Sequence, residues 1–123
     1  MAKVIGLGGI FFKAKDKAAL NDWYQAALGM GGKWGHIFRD LPPGPDGRIG
    51  CAIWSPFAED TKHFEPSDKP FMINLRVDDL EALLAHLRAR GDKVLDRRED
   101  SEQGKFGYVV DPEGTLLELW QPA

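Results

Sequence analysis

Apolar and polar residues follow the same order twice along this chain, at a constant spacing of 63 residues. The strand-like segment 10–16 (IFFKAKD) recurs as 73–79 (INLRVDD), and each copy precedes an apolar stripe with helical spacing. The two halves also end alike, with AIWSP at 52–56 and ELWQP at 118–122. Such a repeat indicates two copies of one supersecondary unit, and two paired copies leave a cleft between them.

Each half predicts a strand, a helix and two or three further strands. Apolar and polar residues alternate strictly over 71–77, which is the period of a strand with two different faces. Apolar residues recur every three or four positions over 20–28 and again over 80–87, and this spacing predicts two amphipathic helices. Asp78 and Glu81 have the spacing of a capping box, which predicts Asp78 as the N-cap of the second helix.

The length of 123 residues suits one domain of common size. We expect a single domain over 1–123, with module one at about 3–57 and module two at about 71–122. The linker between them, about 58–70, holds two prolines and six charged residues without periodicity. We therefore expect the linker, including His63, to be solvated.

Composition and charge exclude several classes of partner. A net charge of −3 argues against nucleic-acid binding, which needs a basic patch. No apolar run reaches the roughly 18 residues of a membrane span, and the N-terminus lacks the apolar segment of a signal peptide. Cys51 is the one cysteine, which excludes an internal disulfide and suits a reducing compartment. We expect a cytoplasmic protein without a nucleic-acid or membrane partner.

Alternation along the strands assigns one face of the sheet to the helices and the other to the cleft. The residues predicted to face the helices are Ile10, Phe12, Ala14, Cys51, Ile53, Ile73, Leu75, Val77, Leu117 and Leu119. The residues predicted to face the cleft are Gly9, Phe11, Lys13, Ala52, Trp54, Met72, Asn74, Arg76, Glu118 and Trp120.

Glu118 is the most informative of these residues, because it interrupts an apolar strand between Leu117 and Leu119. A carboxylate in such a place must be paired, bound to a metal or shifted in pKa. One interpretation is a structural glutamate bonded to a neighbouring Lys or Arg. The other is a general acid or base whose pKa burial raises toward neutrality. His36, on a strand that can border the cleft, is the histidine we keep as a catalytic candidate.

The other cleft residues are typical of a small-molecule site, which is mostly apolar with a few polar groups. The predicted ligand-binding residues are Phe11, Lys13, Trp54, Met72, Asn74, Arg76 and Trp120. Their aromatic rings can stack on a planar ligand, and Asn74 can orient it by hydrogen bonds. Lys13 and Arg76 can attract an anionic group at the mouth. Packing in the core or in a dimer interface is the alternative for Trp54 and Trp120.

The doubled unit, closed by 111–120 (DPEGTLLELW), resembles the vicinal oxygen chelate superfamily of glyoxalases, bleomycin-resistance proteins and extradiol dioxygenases. The resemblance implies an α+β fold in which two tandem βαβββ modules form a curved mixed sheet around a cleft. It also implies four metal-ligand positions, which fall by position on Gly9, Ala52, Met72 and Glu118. Only Glu118 can be a ligand, whereas a catalytic metal takes about three protein ligands. We therefore predict no cofactor, with a divalent metal as the alternative.

Two functions follow from the residues and the resemblance. The first is a metal-independent protein that binds a small organic molecule, an antibiotic or a metabolite, and forms a homodimer. The second is a lyase or isomerase in which Glu118 is a general acid or base, or a metal ligand, with Asn74 or His36 assisting. The resemblance allows the two modules to pair within one chain or to be exchanged between two chains.

Overall fold

The computed structural model describes residues 2–32, 34–45, 47–48 and 50–123, and it describes Asp40 by its backbone alone. Its elements, in chain order, are β1 Val4–Ala14, α1 Lys17–Leu28, β2 His36–Leu41, β3 Gly50–Ala58, β4 Phe71–Val77, α2 Leu80–Arg90, β5 Lys93–Val94, β6 Glu99–Ser101, β7 Gly104–Val110 and β8 Leu116–Pro122. Neither of these helices has both the length and the apolar character that a membrane span requires.

The strands form one mixed sheet in the order β2-β3-β1-β4-β8-β7-β5, with β6 paired to β7. Within each half the first strand pairs with the last in parallel, β1 with β3 and β4 with β8. The two halves join at the centre, where β1 and β4 run antiparallel. The sheet is curved and open, and two βαβββ modules build it, which confirms the predicted fold class. The modules pair within one chain.

Each helix begins at an aspartate and ends at a left-handed glycine. The Asp16 side chain accepts from the Ala19 N–H at 3.0 Å, and Asp79 accepts from the Ala82 N–H at 3.1 Å. The prediction of Asp78 as the second N-cap is therefore wrong by one residue. Asp79 has the extended backbone of an N-cap, whereas the Asp78 side chain accepts from the Lys3 N–H across the sheet.

The apolar residues form two cores, one on each side of the sheet. The core beneath α2 comprises Val77, Leu80, Leu83, Leu84, Val109 and Leu119. The core on the opposite, concave side comprises Phe11, Phe64, Met72, Tyr108 and Leu116. Phe64 belongs to the predicted linker and is 0% exposed. The expectation of a solvated linker is wrong here, because burying this ring removes a large apolar surface from water.

The faces predicted for β1, β4 and β8 are right, but those predicted for β3 are wrong by one residue. Ile53 pairs with Gly9 and faces the concave side, whereas Trp54 pairs with Ile10 and faces α1. The Trp54 ring lies 5.8 Å from the ring of Tyr24 in α1. The prolines of AIWSP and ELWQP match at a spacing of 66 residues, whereas the repeat spacing of 63 residues places Ser55, not Ala52, opposite Glu118.

The apolar stripe of α1 is only partly buried. Tyr24 packs against Trp54, and each residue of a helix turns about 100° from the one before. Trp23, one position earlier, therefore points away from the sheet and is 54% exposed. Leu28 is also exposed, so only part of the apolar stripe predicted over 20–28 packs on the sheet.

Candidate functional site

The concave face holds a cleft of about 390 Å³ beside the second core. The described residues that line it are Gly8, Phe11, Trp34, Ile53, Ser55, Phe57, His63, Asn74, Glu99, Gln103, Phe106, Glu118 and Trp120. Five of these side chains are aromatic rings other than histidine. The rings of Phe106 and Trp120 are stacked on each other, with their centroids 6.2 Å apart and their planes 8° apart. An aromatic lining with a few polar groups is typical of a site for a small organic molecule.

Glu118 lies at the floor of this cleft and is 6% exposed. Its Oε1 accepts a hydrogen bond from Asn74 Nδ2 at 2.7 Å, and its Oε2 accepts one from the Tyr108 hydroxyl at 2.6 Å. Asn74 is its partner in the parallel pairing of β4 with β8, and Tyr108 is its antiparallel partner on β7. The sheet register therefore places both donors beside the carboxylate.

His63 is the third group at Glu118, with Nε2 3.6 Å from Oε2. That separation is an ion-pair distance rather than a hydrogen bond. The imidazole packs 5.4 Å from Phe57 and 6.3 Å from Tyr108, measured between ring centroids. Its backbone carbonyl accepts from Arg97 Nη2 at 3.0 Å. These contacts hold the imidazole at the wall of the cleft, where the His63 side chain is 34% exposed.

The electrostatics of this cluster keep Glu118 ionised. Burial raises the pKa of Glu118, but the side chains of His63, Tyr108 and Asn74 lower it by more, so the pKa lies below its usual value. Burial, and then the adjacent carboxylate, raise the pKa of Tyr108, so its hydroxyl keeps its proton. The prediction that burial moves the pKa of Glu118 toward neutrality is wrong, because His63 and the two hydrogen-bond donors, Tyr108 and Asn74, together outweigh the desolvation.

Three of the predicted ligand-binding residues line the cleft, namely Phe11, Asn74 and Trp120. Met72 is on the same face but lies in the second core, fully buried. The cations predicted at the mouth are placed differently. Arg76 is buried, and Lys13 Nζ lies 6.0 Å from the centroid of the Phe64 ring.

The positions predicted for Trp54 and His36 at the cleft are wrong. His36 is opposite Trp54 in the antiparallel pairing of β2 with β3, so both side chains are on the helix side of the sheet. His36 Nδ1 accepts a hydrogen bond from the Gly31 N–H at 2.9 Å, so the imidazole has its partner outside the cleft. Whether the cleft residues bind a ligand stays a prediction.

Sequence reasoning missed several site residues, among them Tyr108, Glu99 and Phe106, and it placed His63 in a solvated linker. The neighbours of His63 at the cleft are on β7 and β8, more than forty residues further along the chain. The one local signal is a pair of phenylalanines, Phe57 and Phe64, that flank it in an otherwise polar segment. Two large apolar side chains in a linker indicate that the segment packs against the domain.

A glycine makes room for the Asn74 side chain. A Cβ at Gly8 would lie 1.9 Å from Asn74 Oδ1 and 3.2 Å from the Trp120 ring. Any larger residue there would displace the amide that bonds Glu118. The pairing of β1 with β4 shifts register between Leu7 and Gly9, and this bulge places Gly8 at the cleft wall.

The residues at the family's metal-ligand positions do not fit a divalent ion. With β3 in its observed register these positions are Gly9, Ser55, Met72 and Glu118. Both oxygens of Glu118 accept hydrogen bonds from protein donors, and a thioether is a poor ligand for hard or borderline ions. Within the described ranges no group of three or more His, Cys, Asp or Glu side chains is placed to hold a metal.

The paired modules and their cleft define a protein of the vicinal oxygen chelate superfamily. The glyoxalase-like domain family matches residues 9–120, and this chain belongs to that family.

Solved structures share the fold at low sequence identity. A variant of methylmalonyl-CoA epimerase from Streptomyces coelicolor, in complex with 2-nitronate-propionyl-CoA, is 20% identical with a TM-score of 0.68, over 98% of this chain and 99% of that chain. Methylmalonyl-CoA epimerase from Mycobacterium tuberculosis is 21% identical with a TM-score of 0.61, over 98% and 89%. A glyoxalase/bleomycin resistance protein/dioxygenase superfamily member from Vibrio splendidus 12B01 is 16% identical with a TM-score of 0.59, over 98% and 99%. No curated protein matches the chain. At these identities the likeness concerns the fold alone.

Proposed function

We propose that this protein binds a small planar organic molecule, an antibiotic or a metabolite, in the concave cleft without a metal ion. The observation that carries the proposal is an aromatic-walled cleft whose floor carboxylate is held by protein donors. The cleft volume of about 390 Å³ lies within the usual size range of small-molecule sites. Each aromatic contact with a planar ligand contributes about 0.5–1.5 kcal/mol beyond the burial of area.

Metal independence is supported by the chemistry of Glu118. A metal-binding carboxylate presents free lone pairs toward the ion, whereas here Asn74 and Tyr108 donate to one oxygen each. The expected result is that protein treated with a chelator keeps its melting temperature and its ligand binding. Addition of Ni²⁺, Co²⁺, Mn²⁺, Fe²⁺ or Zn²⁺ is expected to leave the melting temperature unchanged, because only a ligand of the folded state raises it.

Binding is tested by a screen of planar organic compounds for a raised melting temperature, followed by titration of tryptophan fluorescence. Phe106→Leu removes one of the two stacked rings that line the cleft and is expected to weaken a stacking ligand by about threefold to tenfold. Phe38→Leu is the matched control, because Phe38 is exposed on β2 and does not line the cleft. Equal affinity in both variants would contradict the assignment of the cleft as the binding site.

A second candidate function, a lyase or isomerase that transfers a proton, is favoured by one observation. His63 lies between the cleft and the ionised carboxylate of Glu118. A carboxylate in this position can orient an imidazole for acid–base chemistry. Methylmalonyl-CoA in deuterated water is a suitable probe, with deuterium uptake followed by mass spectrometry. Uptake that His63→Gln abolishes would support the enzyme. Uptake that is equal in the variant and the parent would contradict the role of His63.

The homodimer and the cytoplasmic location stay predictions. The exposed side chains of Trp23 and Leu28 on α1 are consistent with a second copy covering that helix. Sedimentation equilibrium at micromolar concentration is the direct measurement, and a monomeric mass would contradict the dimer.

A further inference from the structure

The charged side chains that line the cleft are acidic. Glu99 and Glu118 both line it, and its described lining includes no lysine or arginine. This is the opposite of the anion-attracting mouth expected from Lys13 and Arg76. A cleft with carboxylates and low-dielectric walls concentrates ligands of the opposite charge.

The described lining of the cleft offers Glu99 no lysine or arginine as a partner. The Arg97 guanidinium lies over the Tyr108 ring, 3.9 Å from its centroid, and Arg97 does not line the cleft. His63 lines the cleft, and its Nε2 lies 3.6 Å from Glu118 Oε2.

The stacked rings of Phe106 and Trp120 lie next to the exposed Glu99. Glu99 on β6 pairs with Phe106 on β7, and Phe106 stacks on Trp120. A planar cation in the cleft meets the negative face of an aromatic ring and the Glu99 carboxylate beside it. An anion of the same shape meets repulsion from the same groups.

We propose that the cleft selects planar organic cations, such as aminoheteroaromatic cations or amidinium compounds. This inference rests on the proposed binding function and adds the charge class of the ligand. Glu99 attracts the charge, and the aromatic side chains of the cleft contact the ring system.

The test uses three acridines of similar shape and different charge: cationic proflavine, neutral acridine and the acridine carboxylate anion. Their affinities for the full chain are measured by fluorescence titration at neutral pH and low salt. We expect proflavine to bind at least about tenfold more tightly than the carboxylate, with acridine between them. Added salt should weaken proflavine and leave acridine unchanged, because salt screens the charge term alone.

Glu99→Gln isolates the charge, and Glu102→Gln is its matched control. Glu102 is exposed on the turn between β6 and β7 and does not line the cleft. We expect Glu99→Gln to weaken proflavine by about threefold to fivefold without affecting acridine, and Glu102→Gln to change neither. The charge selectivity alone would be overturned if the acridine carboxylate bound as tightly as proflavine. It would also be overturned if Glu99→Gln and Glu102→Gln weakened proflavine equally. Failure of all three acridines to bind would overturn the binding function as well.

Discussion

Replacement of Tyr108 by phenylalanine tests the cluster at the cleft floor most directly. The variant keeps the ring, which packs in the second core, and removes the hydroxyl that donates to Glu118 Oε2 at 2.6 Å. A hydrogen bond to a charged group contributes about 1.5–3 kcal/mol, so we expect the free energy of unfolding to fall by about 2 kcal/mol. For a domain of this size the melting temperature should fall by about 4–10 °C.

The effect should depend on pH in a defined direction. The pKa of Glu118 is lowered in the folded state, so its contribution to stability is present above the unfolded pKa of about 4.3 and is lost as the pH falls through the folded pKa. Removal of the Tyr108 donor raises that folded pKa. The difference between the parent and Tyr108→Phe should therefore be largest at neutral pH and shrink below about pH 4, where a neutral hydrogen bond contributes only about 1 kcal/mol.

Urea unfolding followed by tryptophan fluorescence at a series of pH values measures both effects. Tyr24→Phe is the matched control, because Tyr24 is the other tyrosine, its ring packs against Phe12 and Trp54, and it lies outside the Glu118 cluster. The control should change stability by less than about 0.5 kcal/mol. A difference between Tyr108→Phe and the parent that stays constant with pH would refute the assignment of the hydrogen bond to an ionised Glu118.

Further substitutions test neighbouring parts of the structure. Gly8→Ala should destabilise by about 1–3 kcal/mol, because its Cβ would lie 1.9 Å from Asn74 Oδ1, whereas Gly6→Ala, with nothing within 4 Å, should be tolerated in the same urea titration. Asp79→Ala removes the N-cap of α2 and should cost about 1 kcal/mol of unfolding free energy, measured by thermal denaturation. Arg98→Ala breaks a bidentate pair with exposed Glu81 and should cost less than about 1 kcal/mol, with a smaller effect in high salt.

The fold could be predicted because its signals are local and occur twice. Strict alternation over 71–77 defined the faces of β4, and Glu118 between two leucines defined those of β8. The same reasoning failed at β3, where Pro56 and Pro122 gave a plausible alignment that ignored the repeat spacing. A shift of one residue moves every side chain of a strand to the opposite face of the sheet. The alignment by prolines therefore assigns Ile53 and Trp54 to the wrong faces.

The site was predictable only where one strand carries the signal. Glu118 was identified from its own strand, but Tyr108 and His63 reach it through pairing and through linker packing. No periodicity in the sequence of a linker encodes a contact with a distant strand. The pKa of Glu118 depends on those same contacts, so its direction could not be inferred from burial alone.

The lowered pKa of Glu118 bears on the choice between a binding protein and an enzyme. A general base works best when its pKa lies near the working pH, and a carboxylate that two hydrogen-bond donors and the neighbouring His63 stabilise is a weak base. Glu118 is also nearly inaccessible, whereas the imidazole of His63 is one-third exposed beside it. If the protein transfers a proton, the group that meets the substrate is therefore His63, and Glu118 positions it. If the protein only binds, the aromatic side chains contact the ligand, and the buried charge of Glu118 attracts a cation without touching it. Glu118→Gln should then weaken proflavine more than acridine, while His63→Gln should affect the two dyes alike.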